Sequence, residues 1–417
     1  MPSSYKKNQE KKEMNCVACR KEIPIMEKFY ISVVKLLAFA FLFTSVYANA
    51  QIVTVAGFSF GGESASVKNR FPISSSAIEK LQFDGVSGAT ALSRKVTAIA
   101  KKAKNSRLEL NIMETKSLKE SDQALVVALV ITNETTLIEK FQSYNKIFLS
   151  IHAEALLFDF KAMSIVRSYP INAVIFDAKV GEPQSSDLEK LASQLIYADD
   201  EKSLLNQFAK KLEILSVPLP GTKTVQVKKV IITPEAIVSF PASIRSGGIA
   251  QSILADTFST ALSSKTGVPI IPTNLSGTSS VMRVKFEDFN EFELKIPDGD
   301  YIFQIDLKRF AKIQHSKTNV GASYIYGAYI DLGFQDLDSL NKYFQSELKN
   351  GEVAVIPAGR EAADDFPAYQ DAIQGLFLKF ADAIAKQDLV WIQKAASGKD
   401  IQSQVKKTLE ILESCKK

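Results

Sequence analysis

The string Gly57-Phe58-Ser59-Phe60-Gly61 follows the apolar run Ile52-Val53-Thr54-Val55. It matches G-x-S-x-G, in which flanking glycines permit a strained turn that exposes a serine hydroxyl as a nucleophile. A hydrolase built on Ser59 would need a base, and the chain holds two histidines, His152 and His315. His152 falls in an alternating stretch, opposite Ile151 and Ala153, and His315 in the polar run Gln314–Lys317, read as a loop. Ser59 also precedes the strands and the oxyanion-hole loop that a nucleophile elbow requires. The competing reading is a glycine-permitted bend or bulge at the end of an N-terminal strand. The second reading is favoured, so no catalytic residue is assigned.

Other chemistry-bearing groups are sparse. Asp199-Asp200-Glu201, Asp298 with Asp300, and Asp364 with Asp365 supply carboxylates, but none has calcium-loop spacing. Turn formation and helix capping account for them. No metal and no cofactor is expected. Ser246-Gly247-Gly248 opens a helix, and with Arg245 beside it this is the better of two anion candidates, the other being Gly85–Gly88. The P-loop lysine pattern is absent. Tyr324, Tyr326 and Tyr329 crowd one strand around Gly327. They are read as interface candidates, against the plainer alternative of a half-buried strand under a helix.

The first fifty residues narrow these readings. Met26–Ala50 has a positive start at Lys28, an apolar stretch from Leu36 to Phe43, and the small-residue cleavage pattern Ala48-Asn49-Ala50. That is a secretory signal peptide. Residues 1–25 are polar and are expected to be an over-extended start, with Met26 the true one. Cys16 and Cys19 form a lone C-x-x-C there, too little for zinc. Of 417 residues and a formal net charge of +5, residues 1–50 carry eight Lys/Arg and four Asp/Glu, so +4 belongs to the leader. The remaining chain is nearly neutral, and nucleic acid is not an expected partner. Cys415 is the only cysteine after the leader, read as an idle thiol near a frayed terminus.

The elements that must position these residues form a pattern read twice. In the first half, Ile52–Phe60 is an opening strand, and Leu92, Val96, Ile99 and Ala103 mark a helix. Leu108–Ile112 is a short extended piece, and Leu125–Ile131 a buried central strand. Ile147–Phe160 and Ser164–Tyr169 make a hairpin, and leucines from Leu188 to Leu212 line a helical region. In the second half, Val230–Phe240 is the counterpart opening strand. A helix starts after Gly247-Gly248, and Val268–Pro272 is the short extended piece. Strands at Tyr301–Leu307 and Tyr324–Phe334 follow, with an Asn350-Gly351 turn before Val353–Ile356 and a helix over Pro367–Lys386. This predicts an α/β (α+β) protein of two tandem open-sheet domains, each strand-helix-strands-helix. The boundaries are 51–217 and 230–388, joined by a linker at 218–229 that contains Pro218-Leu219-Pro220-Gly221. An amphipathic helix over 389–417, with Ile401, Val405, Leu409 and Leu412, ends the chain.

Asp298-Gly299-Asp300-Tyr301-Ile302-Phe303 resembles a strand start of the α/β module found in the CsgG-like curli secretion family and in the TolB N-terminal domain. Asp122–Val126 is a poorer match in the first half. The hairpin Ala155–Tyr169 resembles the family's strand-Asp-turn-strand, with Lys161-Ala162-Met163 where a glycine is usual. The resemblance spans most of the mature chain as topology but about thirty residues as motif. It implies an envelope protein that assembles with others, without the lipidated cysteine of the secretion pore. The expected function is therefore an exported, non-enzymatic accessory component of a cell-envelope assembly. It would be periplasmic or outer-membrane-associated, with envelope proteins or its own copies as partners. The alternatives are a periplasmic small-ligand binder with a cleft near Pro218–Gly221, and a serine hydrolase using Ser59.

Overall fold

Val53, Val55 and Phe58 alternate inward along β1 (Gln51–Phe60), which opens the first sheet. A computed structural model describes residues 51–112, 124–141, 144–273, 281–286, 291–358 and 365–417. The expected leader, with Ala48, Ala50, Cys16 and Cys19, lies outside the described residues, as do Asp122 and Asp364. In the first half β1 is followed by α1 (Pro72–Glu79), a small hairpin of β2 (Gln82–Phe83) and β3 (Val86–Ser87), and α2 (Gly88–Ala100). Then come β4 (Leu108–Asn111), β5 (Leu125–Phe141), β6 (Tyr144–Asp159) and β7 (Ser164–Val180). Helices α3 (Ser185–Tyr197) and α4 (Leu204–Ile214) close this half.

The second half has β8 (Val225–Ile232), α5 (Ile249–Thr266), and the short strands β9 (Val281–Val284) and β10 (Phe292–Lys295). The long strands β11 (Tyr301–Thr318), β12 (Gly321–Asp336) and β13 (Lys342–Pro357) follow. Helices α6 (Phe366–Lys386), α7 (Leu389–Ala395) and α8 (Ile401–Ser414) come last. The protein is of the α/β class, with a helix at its C-terminal end.

Strand order repeats between the halves. The first sheet reads β4-β1-β5-β6-β7-β10-β9, the second β13-β12-β11-β8. In each, the opening strand lies parallel to the strand after the crossover helix, and two antiparallel neighbours follow. The short extended pieces also correspond. β4 lies parallel to β1, and Ile271 makes a parallel bridge to Gln226 on β8. Residues 50–417 pack as one compact unit, and β9 and β10 of the second half extend the first sheet past β7.

That extension changes the core. Val127, Leu129 and Ile131 of β5 face the layer of α1–α4. Val126, Ala128 and Val130 on the reverse face pack with Phe158, Ile271, Val284, Phe286 and Leu294. A strand buried on both faces reads as an unbroken apolar run, which is why Leu125–Ile131 has no polar alternation. The second sheet packs one face against α5, α6 and α8, centred on Phe258, Phe303, Phe334, Phe377 and Phe380. Each fully buried side chain of this size contributes roughly 1.5–3 kcal/mol.

Several elements differ from the sequence reading. The strand expected at Val230–Phe240 occupies Val225–Ile232, beginning inside the expected linker and ending early because Pro234 starts a helical turn capped by the Thr233 hydroxyl. Asn350-Gly351 makes no turn. It lies within β13, where Gly351 pairs with Gly327, and the chain reverses earlier, between Asp336 and Asn341. His315 belongs to β11 and not to a loop. The tail forms two helices. Its end is held by Arg167, whose guanidinium donates to the carbonyls of Cys415, Lys416 and Lys417 at 3.4, 3.3 and 2.5 Å. Cys415 is buried there instead of frayed, and burial pushes its thiol up to about 11.

Candidate functional site

Ser59 is 2% exposed. Its hydroxyl donates to the Phe60 carbonyl at 2.8 Å and accepts the Lys285 N–H at 3.0 Å. Gly57 adopts φ +87° where the β1–β5 register shifts, and a Cβ there would lie 2.9 Å from that of Ser93. The glycine thus makes a β-bulge against α2, not a nucleophile elbow. The hydroxyl joins the two halves through the backbone of Lys285 and does not face solvent.

His152 sits in a different place. Its imidazole leaves β6 on the face away from α1–α4 and meets α5. Nε2 lies 3.3 Å from Glu154 Oε1 and 3.8 Å from Asp256 Oδ1, and Nδ1 lies 3.3 Å from Thr260 Oγ1. Ser168 Oγ donates to the second Glu154 oxygen, and Asn133 Nδ2 donates to Asp256 Oδ2 at 3.2 Å. Burial alone would lower the His152 pKa, but Asp256 and Glu154 outweigh it and the net shift is upward. Burial raises Asp256, opposed by His152. Its carboxylate keeps 23% of its side-chain exposure.

A hydroxyl, an imidazole and carboxylates in contact have the order of a nucleophilic triad. The space beside them, lined by Asn133, Ser150, His152, Asn172, Asp256 and Thr257, is only about 20 Å³. That admits a water but no substrate. The geometry suits a clamp in which the His152 imidazole, its pKa raised by Asp256 and Glu154, ties β6 to α5. Sequence reading placed His152 on the correct face but missed Glu154 and Asp256. Glu154 has a local signal, being a carboxylate two residues along the same strand. Asp256 has none, because its partner lies 104 positions away.

Asp256 also borders a larger cavity of about 580 Å³ between the halves. Arg70, Asn133 and Glu134 line it from the first half, and Gly247, Ser252 and Arg283 from the second. Its charges are largely engaged. Arg70 Nη1 donates to the Gly61 carbonyl at 2.8 Å, and Glu134 accepts the Ile73 and Ser74 N–H groups at the start of α1. Arg283 pairs with Glu63 and Glu293. Of the expected anion candidates, Gly247 lines this cavity, and Gly248 adopts φ +75° before α5. Arg245 is not directed to them. It donates to the Phe240 and Val238 carbonyls at 2.6 and 2.8 Å. No residue of Pro218–Gly221 lines the cavity.

The tyrosines divide between faces. Tyr326 is buried beneath α6, donating to Asp365 at 2.7 Å and packing edge-on to Tyr369. Tyr324 follows it on that face, with Lys312 4.7 Å from its ring. Tyr329 points the other way, because alternate residues of a strand face opposite sides. Arg309 lies 3.9 Å over its ring. A groove of about 340 Å³ runs past Tyr329, floored by Ala311, Gly327 and Gly351 and walled by Ile313, Ile325 and Trp391. Trp391, on α7, was not among the expected interface residues, since nothing local ties α7 to this face.

The acidic motifs make structural contacts. Asp300 binds Lys223 and both the N–H and hydroxyl of Thr224, tying the start of β11 to that of β8. A Cβ on Gly299 would lie 2.6 Å from that of Gln226, so only glycine fits this approach. Asp200 accepts from the Lys202 backbone in the α3–α4 turn. Among the described residues no cluster of three His, Cys, Asp or Glu could hold a metal ion.

No family model matches the chain, and no curated protein does. Solved structures give faint likenesses. A DUF330-family protein from Xanthomonas campestris is 11% identical, at TM-score 0.22, over 42% of this chain and 91% of that one. A protein from Caulobacter crescentus described as a lipoprotein is 10% identical, at 0.21, over 40% and 90%. A Helicobacter pylori protein described as a neuraminyllactose-binding hemagglutinin homologue is 14% identical, at 0.25, over 43% and 96%. TM-scores this low carry no argument for function.

Proposed function

We propose that the chain is an exported, non-enzymatic accessory component of the bacterial cell envelope that works by association. One observation carries this reading: the outer face of the second sheet is left open, and its far half is apolar. Ile313, Val353 and Val355 are 56, 63 and 71% exposed there. Surfaces of this kind are sites of association. The signal-peptide pattern and the resemblance to the CsgG-like and TolB N-terminal modules support the envelope setting. Among the described residues no helix is long and apolar enough to cross a membrane. Crosslinking in envelope preparations, followed by purification of the mature chain, is expected to recover it in a complex or with membranes. A concentration-independent monomer recovered with neither would refute the proposal.

The cavity between the halves favours a second reading, a small-ligand binder. Its volume is in the range of metabolite sites. Thermal shift against a panel of small polar metabolites tests it, with an unmoved Tm across the panel as the opposing outcome. The hydrolase alternative loses its nucleophile, since the Ser59 hydroxyl is buried and bonded on both sides.

A further inference from the structure

The open face of the second sheet is graded along its strands. Cross-strand partners put side chains on one face, so each row of three can be read directly. Farthest out is the β11–β12 turn, with Val320 82% exposed. Next come Ser316-Ser323-Val355 and Ile313-Ile325-Val353. Then follows the small row Ala311-Gly327-Gly351, and after it Arg309-Tyr329-Lys349. Trp391 and Lys394 of α7 border the groove at that level. Among the described residues, Arg309, Lys349 and Lys394 make no ion pair. One step farther is the row Asp306-Asp331-Glu347, where Lys308 bridges Asp306 and Asp331 at 2.6 and 2.9 Å.

On this face the order is therefore a mostly apolar far end, in which the Ser316 and Ser323 hydroxyls bond to each other at 2.7 Å and Lys317 falls on the opposite face, then the aromatic and cationic band, then carboxylates. A bilayer surface presents the complementary order: acyl chains, a headgroup layer with negative charge, then water. Tyr, Trp, Lys and Arg favour the headgroup level, and carboxylates favour the water beyond it. The Ile313 row and the Arg309 row are four residues apart on β11, about 13 Å at strand rise, which is comparable with the depth of an interfacial layer. A second copy packed with its strands parallel to these would set the cationic bands against each other. The charge of the band instead matches an anionic surface.

We propose that the far end of the second sheet docks on an anionic lipid surface. Val320, Val353, Val355 and Ile313 enter the acyl boundary, and Arg309, Lys349 and Lys394 meet the lipid phosphates. The site is peripheral, not spanning. This rests on the proposed accessory function and names its partner class.

The test is co-sedimentation of the mature chain with vesicles of phosphatidylcholine alone or with added phosphatidylglycerol. Binding is expected only with phosphatidylglycerol, and it should collapse between about 0.1 and 1 M salt as the charges are screened. The double variant Val353→Asp/Val355→Asp should lose at least about tenfold in partition while keeping the wild-type Tm. Replacing Arg309, Lys349 and Lys394 one at a time by Gln should cost about fivefold each. No binding to either vesicle, or binding that both sets of variants leave unchanged, overturns the lipid assignment. Recovery in an envelope protein complex without vesicle binding would overturn this assignment alone. A monomer that associates with neither refutes the accessory function as well.

Discussion

The two sheets share a strand order and part company at their outer faces. The first is closed on both sides: α1–α4 cover one face, and β9, β10 and Phe286 cover much of the other. The second is packed on one side, and among the described residues only α7 borders it on the other. The difference shows in the residues themselves. β5 has no polar alternation, while β13 alternates buried and exposed along most of its length. One copy of the topology has become scaffold, with its second face taken up by its sister, and the other keeps a face for use.

The largest test of that contrast places the same charge on each sheet. Val130→Asp buries a carboxylate in a dry layer and should abolish folding, read as lost near-UV circular dichroism. Val353→Asp on the open face should stay within about 0.5 kcal/mol of wild type by urea unfolding. Equal damage from both would break the comparison. Phe158→Ala, which removes the ring stacked on Phe286 at 6.0 Å, should cost about 3–5 kcal/mol. A smaller loss would mean that the join between β6 and the second half is looser than drawn.

His152 sharpens the contrast at the same join. His152→Ala leaves Glu154 and Asp256 without the imidazole between them and should cost about 3–5 kcal/mol at about pH 6. The pH dependence has a definite sign. The pKa values of His152 and Asp256 are both raised in the folded protein, so the native state holds protons more tightly than the unfolded chain. The His152 contribution is fully present below its ordinary 6.5 and is lost as pH rises through its higher native value. The Asp256 contribution is likewise lost as pH rises above its ordinary 3.8, so urea midpoints should fall with rising pH, with the His152 part of the fall beginning at about pH 6.5. His152→Gln should flatten that fall, and an unchanged slope would remove the imidazolium from the clamp. The smallest effect concerns Cys415. With its thiol pushed up to about 11, the folded protein should react with a disulfide reagent at pH 7–8 far more slowly than the urea-unfolded chain.

Much of the fold was legible because local pattern and final burial agree. The alternation from Tyr301 to Leu307 and from Tyr324 to Phe334 marked β11 and β12, and the unbroken Leu125–Ile131 marked a central strand. Helix α6 followed from Ile373, Leu376, Phe377, Phe380 and Ile384 at helical spacing. Errors arose where a local signal was outvoted. Asn350-Gly351 is a strong turn dipeptide, yet pairing along the whole of β12 holds it extended. Val230–Phe240 is apolar enough for a strand, but Pro234 ends one at Ile232. Helix α1, with three serines and an alanine among its eight residues, shows too few large apolar positions to declare itself. The site was less legible still. Asp256 meets His152 across the halves, and Trp391 shares a groove with Tyr329, only through tertiary packing, which no spacing rule reaches. Tyr326 and Tyr329 looked like one cluster, because proximity in sequence hides the alternation that sends them to opposite faces.

The closure of the first sheet by the second half has a consequence for how the chain comes to be folded. Synthesised from its N-terminus, the protein completes β5, β6 and β7 well before Val284, Phe286, Leu294 and Ile296 exist to cover their second face. Until then Val126, Val130, Leu156 and Phe158 form an uncovered apolar slab beside an unpaired β7 edge. An early first half is therefore a sticky species that cannot finish on its own, and the long sequence separation of these contacts slows its rescue. A chain of this design gains from remaining unfolded until nearly all of it has been made.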